Sequence, residues 1–283
     1  MVYAVFLDIL GTTRFFTSLP DNYDFEQENR PLISSYNLAR KTFHQGISSA
    51  TRIASGGLVF RASFSDCAYL IYEEPDSLLM AIHVAMTIFN GSVPVRGGVG
   101  KGNFGLDHTI HIADSTSSST EASFYGSSIV RAHQAERCGL KGFRVFVHSS
   151  AAQPLMDTHK GLKVFPVRDW TGYEEGGHPP HKGSTVIEIE GECPSEIKHE
   201  LCYIGSDEVD IYFRGLDMIQ RCFPPSYKDI IHYEHTKLAL NRFQKLREQS
   251  IPAAAQGPLV TSRPVSRAVI RKNSEKNGPK RNI

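Results

Sequence analysis

Two rhythms of apolar residues divide this chain into elements. Val2 to Leu7 is continuously apolar and runs into Asp8, followed by the small residues Gly11, Thr12 and Thr13. That pattern predicts a buried strand closing in a tight turn. Leu32, Tyr36, Ala39, Phe43 and Ile47 recur at three- and four-residue spacing, which predicts a helix from about Pro31 to Gly46. Proline at the start and glycine near the end fit the usual asymmetry of helix termini. Val59 to Tyr72 holds two β-rich runs around Ser65-Asp66, the pattern of a hairpin with a carboxylate at its tip. A second helix is expected from about Asp76 to Asn90, stopped by Gly91, and then a strand whose glycines allow close backbone approach, Pro94 to Gly100.

Asp114 to Ser123 is Ser/Thr-rich and reads as a loop or arm. Gly126 to Cys138 predicts a third helix, and Phe143 to His148 another strand. The order β-α-β-β-α-β-α-β describes an α/β sandwich on a split βαβ, ferredoxin-like core. Strands near Leu162–Val167 and Thr185–Ile189 would complete its sheet, and Pro194 to Gln249 reads as mainly helical, most clearly from Tyr227 to Arg247. From about Ser250 the composition turns to Pro, Ala, Gly, Ser and basic residues, with seven Lys/Arg against one Glu between Arg263 and Arg281. The expected organisation is a first domain over 1–192, a helical extension over 193–250 and a disordered basic tail over 251–283.

Composition removes several function classes. Of 283 residues, 40% are hydrophobic and 22% charged, and the net charge is +1, so no global charge points to nucleic acid. The longest apolar runs, such as Leu78–Val84, are far too short to span a bilayer. No basic region precedes the first strand, so no signal peptide is expected and the simplest compartment is cytoplasmic. Five cysteines, an odd number without Cys-x-x-Cys spacing, argue against a disulfide scaffold or zinc ribbon.

The chemistry concentrates in Asp8 and Asp66. Each is explicable alone as a turn-forming residue. Together, two carboxylates at the ends of adjacent strands suit divalent metals that bridge a polyphosphate. His178 and His181 lie in a Gly/Pro-rich stretch without acidic or Cys partners, a poor metal set.

Four segments in this order resemble the class III nucleotidyl cyclase catalytic domain: Phe6 to Thr13, Phe64 to Cys67, Val95 to Gly102, and Tyr125 to Glu136. The resemblance covers about Tyr3 to His148. It implies Asp8, Asp66 and the carbonyl of Ile9 as ligands of two Mn²⁺ or Mg²⁺ ions. It also implies a triphosphate cradle at Ile9, Leu10, Gly11, Thr12, Thr13 and Arg14, and a homodimer with sites at the interface. At the third-helix positions where purine cyclases carry Asn and Arg, this chain has Val130 and Gln134. Arg131 or Arg96 are the candidates to replace that positive charge.

Where a purine-reading Lys is expected, the chain offers Phe60, Ala62 and Phe64, the candidate base-binding residues; Arg61 should face the other way. With that altered pocket the chain most resembles the bacterial pyrimidine cyclases of the Pycsar anti-phage systems. The implied reaction converts UTP to cyclic UMP, which switches on a separate effector. The alternatives are a cytidylate or purine cyclase, or a degenerate nucleotide-binding module.

Overall fold

Strand β1 (Val2–Ile9) sits at the middle of the structure because its two sets of side chains face two different layers. The structure is a computed structural model that describes residues 1–10, 31–89, 93–112, 118–158, 185–189, 192–203, 209–222 and 230–249. Helix α1 (Pro31–Ile53) is followed by the hairpin β2 (Leu58–Ser63) and β3 (Cys67–Tyr72), helix α2 (Pro75–Phe89) and strand β4 (Val95–Gly102). A ribbon of β5 (Gly105–Ile112) and β6 (Ser118–Tyr125) leads into α3 (Ser127–Glu136). Then come β7 (Val145–Val147), α4 (Ser149–Thr158), β8 (Thr185–Glu188), β9 (His199–Cys202), α5 (Val209–Cys222) and α6 (Ile230–Gln249).

The main sheet has the order β2-β3-β1-β4-β7-β9-β8. Its first four strands are antiparallel neighbours in the order of a split βαβ core, as the pattern of elements predicted. Tyr3, Val5, Leu7 and Ile9 enter the large core together with α1 and α2. Ala4 and Phe6 turn the other way, onto Tyr69, Ile71, Ile129 and Ala132 beneath α3. Asp8, two residues after Phe6, shares that second face.

Glycines let α3 lie directly on β4. A Cβ on Gly98 would strike the Ala132 carbonyl, and one on Gly102 would strike Ser127 Oγ. The helix therefore runs against the strand direction, with its start over Gly102 and its end near Arg96. Gly126 caps it at φ 140°, a region that side chains avoid.

Three expectations are corrected. Helix α1 continues two turns beyond Gly46, to Ile53. Gly46 is a packing residue rather than a stop, since a Cβ there would run into the Phe89 ring, which stacks on Phe43 at 5.2 Å. The Asp114–Ser123 segment supplies much of β6; residues 113–117 lie outside the described set. The segment from Pro194 is not only helical: β9 inserts between β7 and β8.

The chain divides into two units, 1–250 and 251–283. The strand expected near Leu162–Val167, the His178 and His181 loop, and the basic tail all lie outside the described residues. Among those described, no helix is long and apolar enough to cross a membrane.

Candidate active site

Backbone pairing brings Asp8 and Asp66 together. Asp8 lies opposite Cys67 across the β1–β3 ladder, and the Ile9 N–H donates to the Asp66 carbonyl at 2.8 Å. One ligand atom from each of Asp8, Asp66 and Cys67 falls within 4.8 Å of the others. The hairpin tip is thereby fixed to the end of β1, rather than standing free as an ordinary turn.

Burial and mutual repulsion load this site with electrostatic tension. The Asp8 carboxyl is pushed up to about 7, first by burial, then by Asp66 and Glu136, while Arg137 and Arg96 oppose the shift. The Cys67 thiol rises to about 11 through burial and the two aspartates. Tyr69, also facing α3, rises to about 12, again mainly from burial. Its hydroxyl is hydrogen-bonded to His133 Nε2, and the His133 ring packs 4.1 Å from Phe6. Burial and Arg137 push His133 down, which disfavours its protonated form. The two close carboxylates fit hard divalent cations, for which the protonated thiol is a poor ligand, and a metal there would offset the burial and repulsion that raise Asp8.

The other expected site residues divide. Phe60, Ala62 and, just past the strand, Phe64 lie beside the Asp8 face, with Phe60 opposite Ile71 and Ala62 opposite Tyr69. Arg61 turns to the opposite face and donates to Thr51 Oγ1 at 3.2 Å. An aromatic residue that the sequence reading missed joins them: Phe124 of β6 packs 5.1 Å from Phe60, 5.0 Å from Tyr69 and 6.5 Å from Phe64. The only signal for Phe124 in sequence is a Ser/Thr-rich run that ends in Phe-Tyr.

The Arg96 side chain, a candidate catalytic cation, is already committed within the fold. It is buried, pairs with Glu136 at 3.3 Å and donates to the Leu140 carbonyl at 2.5 Å and the Glu136 carbonyl. Arg131 donates to the Lys101 carbonyl at 2.6 Å. Lys101 is five residues along β4 from Arg96, about 17 Å at strand rise, so Arg131 sits at the far end of the β1–β4 pair from its own Asp8. Val130 is exposed on the same helix.

The proposed phosphate cradle is also narrowed. The Ile9 N–H is bonded to Asp66 and the Leu10 N–H to the Pro94 carbonyl at 2.7 Å, so neither is left for a phosphate. Gly11, Thr12, Thr13 and Arg14 lie outside the described residues.

No family model matches the sequence, and no curated protein matches it. Solved structures of similar outline include the guanylyl cyclase Cya2, 12% identical with a TM-score of 0.39, covering 72% of this chain and 92% of that one. The guanylate cyclase domain of RhGC from Catenaria anguillulae in complex with GTP is 12% identical, with a TM-score of 0.40 and coverage of 71% and 93%. The adenylyl cyclase CyaB from P. aeruginosa is 10% identical, with a TM-score of 0.40 and coverage of 71% and 92%.

Proposed function

We propose that this chain is a pyrimidine nucleotide cyclase that converts UTP to 3′,5′-cyclic UMP and pyrophosphate. The observation that carries the reading is the convergence of Asp8 and Asp66 on one point, where their repulsion disfavours folding unless cations lie between them. In the reaction the ribose 3′-oxygen bonds to the α-phosphorus as the α–β P–O bond breaks. Pyrophosphate leaves with that electron pair, and the hydroxyl proton passes to solvent. Divalent metal, when bound, acidifies the 3′-hydroxyl and offsets charge on the leaving group.

The chain's own residues do the rest. Asp8 and Asp66 hold the cations, with the Ile9 carbonyl as a further ligand. Phe60, Ala62 and Phe64, now joined by Phe124, orient the base through stacking and keep water from that side. Support for a pyrimidine comes from the uncharged, aromatic character of that wall, which offers no ionic partner to a purine edge. The exposed apolar residues Leu106, Tyr125 and Val130 on the ribbon and α3 suit a two-fold partner, as the homodimer reading requires. The product would act as a second messenger on a separate effector in anti-phage defence.

A second reading, a nucleotide-binding module without turnover, is favoured by the committed N–H groups of Ile9 and Leu10 and by Val130 and Gln134. Purified protein with Mn²⁺ and all four ribonucleoside triphosphates, read by mass spectrometry beside Asp66→Ala, decides among them. A cyclic pyrimidine product lost in the variant supports the cyclase. Cyclic AMP or GMP would sink the pyrimidine assignment, and nucleotide binding without any cyclic product would leave the module.

A further inference from the structure

Among the described residues, the cations first expected at this site are committed elsewhere or stand away from it. Gln134 and Val130 are uncharged, Arg96 is locked beneath α3, Arg61 faces the other side of the sheet, and Arg131 lies at the far end of β4. Another guanidinium lies at the Asp8 end of α3. Arg137 is the C-cap of α3, one turn beyond Gln134, and its N–H is fixed on the His133 carbonyl at 2.9 Å. Because α3 runs against β4, its last residues lie over Arg96, the cross-strand partner of Asp8.

A contiguous chain of charges follows. Arg96 Nε faces Glu136 Oε1 at 3.3 Å, and Arg137 Nε faces Glu136 Oε2 at 3.8 Å. The two arginines that share Glu136 differ in every other respect. The Arg96 side chain is 6% exposed and donates to two carbonyls; that of Arg137 is 77% exposed on a long, loose ion pair. Its charge is felt at Asp8, Tyr69 and His133, in each case lowering the group's pKa.

We propose, resting on the cyclase reading, that Arg137 is the guanidinium that contacts the substrate's triphosphate at the Asp8–Asp66 centre. An exposed arginine on a loose ion pair can leave Glu136 for a phosphate at little cost, because exposed pairs hold weakly and a planar fork suits phosphate oxygens. Glu136 then acts as a holder that keeps the side chain over the site between substrates. This is a charge in the same chain as the metal carboxylates, unlike a charge supplied across a dimer.

The test uses the full chain as Arg137→Ala, Arg137→Lys and, as a control on the opposite face, Arg61→Ala. Calorimetry with Mn²⁺ and inorganic pyrophosphate reads the contact without turnover; steady-state kinetics with UTP reads its place in the reaction. Arg137→Ala is expected to weaken pyrophosphate binding roughly tenfold and to lower kcat by about 10²-fold, with an unchanged melting temperature. Arg137→Lys should recover part of the binding, and Arg61→Ala should match wild type. Pyrophosphate binding by Arg137→Ala equal to wild type would overturn the proposal, as would a wild-type protein that binds no pyrophosphate. A wild-type protein that binds pyrophosphate through Arg137 but makes no cyclic product would defeat the cyclase reading and leave the contact standing.

Discussion

Two acidic centres in this protein, one buried and one half-buried, are built in opposite ways. Glu200, with no exposed side-chain surface, lies between Arg144 Nε at 2.5 Å and Arg242 Nη2 at 3.2 Å, so one carboxylate is enclosed by two guanidinium groups. Arg242 also donates to the Glu188 carbonyl, which ties α6 to the end of the sheet. At the other centre two carboxylates, Asp8 and Asp66, face each other beside a thiol, while Arg96 and Arg137 pair with Glu136. A buried charge is thus no mark of function in itself. Glu200 has its counter-charges built in and acts as a clamp; the aspartates lack theirs and are shaped to take a cation from outside.

The largest expected effect separates the centres by activity. Asp66→Ala should lower cyclic nucleotide formation on the order of 10³-fold, since several kcal/mol of charge stabilisation disappear. Glu200→Ala should leave turnover per folded molecule close to wild type. Comparable losses of specific activity in both variants would erase the distinction.

Stability should run the other way. Glu200→Ala strands the buried Arg144 and the half-buried Arg242 and is expected to cost about 3–5 kcal/mol in denaturant titration. Asp8→Asn, measured in EDTA at pH 8, should stabilise the chain. A destabilised Asp8→Asn would mean that the carboxylate already has its partners.

The pH dependence sharpens this further. The folded Asp8 carboxyl sits at about 7, above the ordinary 3.8, so the folded state holds its proton more tightly than the unfolded state does. Metal-free stability should therefore fall as pH rises from about 4 to about 7 and level off above, by a few kcal/mol. Mn²⁺ should shrink the slope and Asp8→Asn should lack it. Identical pH profiles for wild type and Asp8→Asn would refute the linkage.

The aromatic wall gives a smaller effect. Phe64 is 49% exposed, so Phe64→Ala should barely change the melting temperature. Loss of one stacking surface should still raise the KM for UTP by roughly fivefold or more, from about 1–3 kcal/mol per stacked base. An unchanged KM would remove Phe64 from the base site. Smallest of all, Arg61→Ala, whose bond to Thr51 lies on the other face, should change stability by about 0.5 kcal/mol or less.

The sequence by itself determined what depends on near neighbours. Alternation placed Phe60 and Ala62 on one side of β2 and Arg61 on the other, helical spacing found α1 and α2, and turn chemistry put Asp66 at a hairpin tip. These follow from the two-residue and 3.6-residue periods of the backbone, which a chain carries locally. Only the tertiary structure decided which groups meet. Gly46 reads locally as a stop, yet Phe89, distant in sequence, makes it a packing residue within a longer helix. β9 is too short to announce itself and exists because β7 and β8 offer their edges. Arg96, Arg131 and Arg137 look alike in a string of letters. The antiparallel passage of α3 over β4 buries the first, carries the second to the far end and leaves the third exposed at the Asp8 end, because long-range pairing, not residue type, sets where a charge ends up.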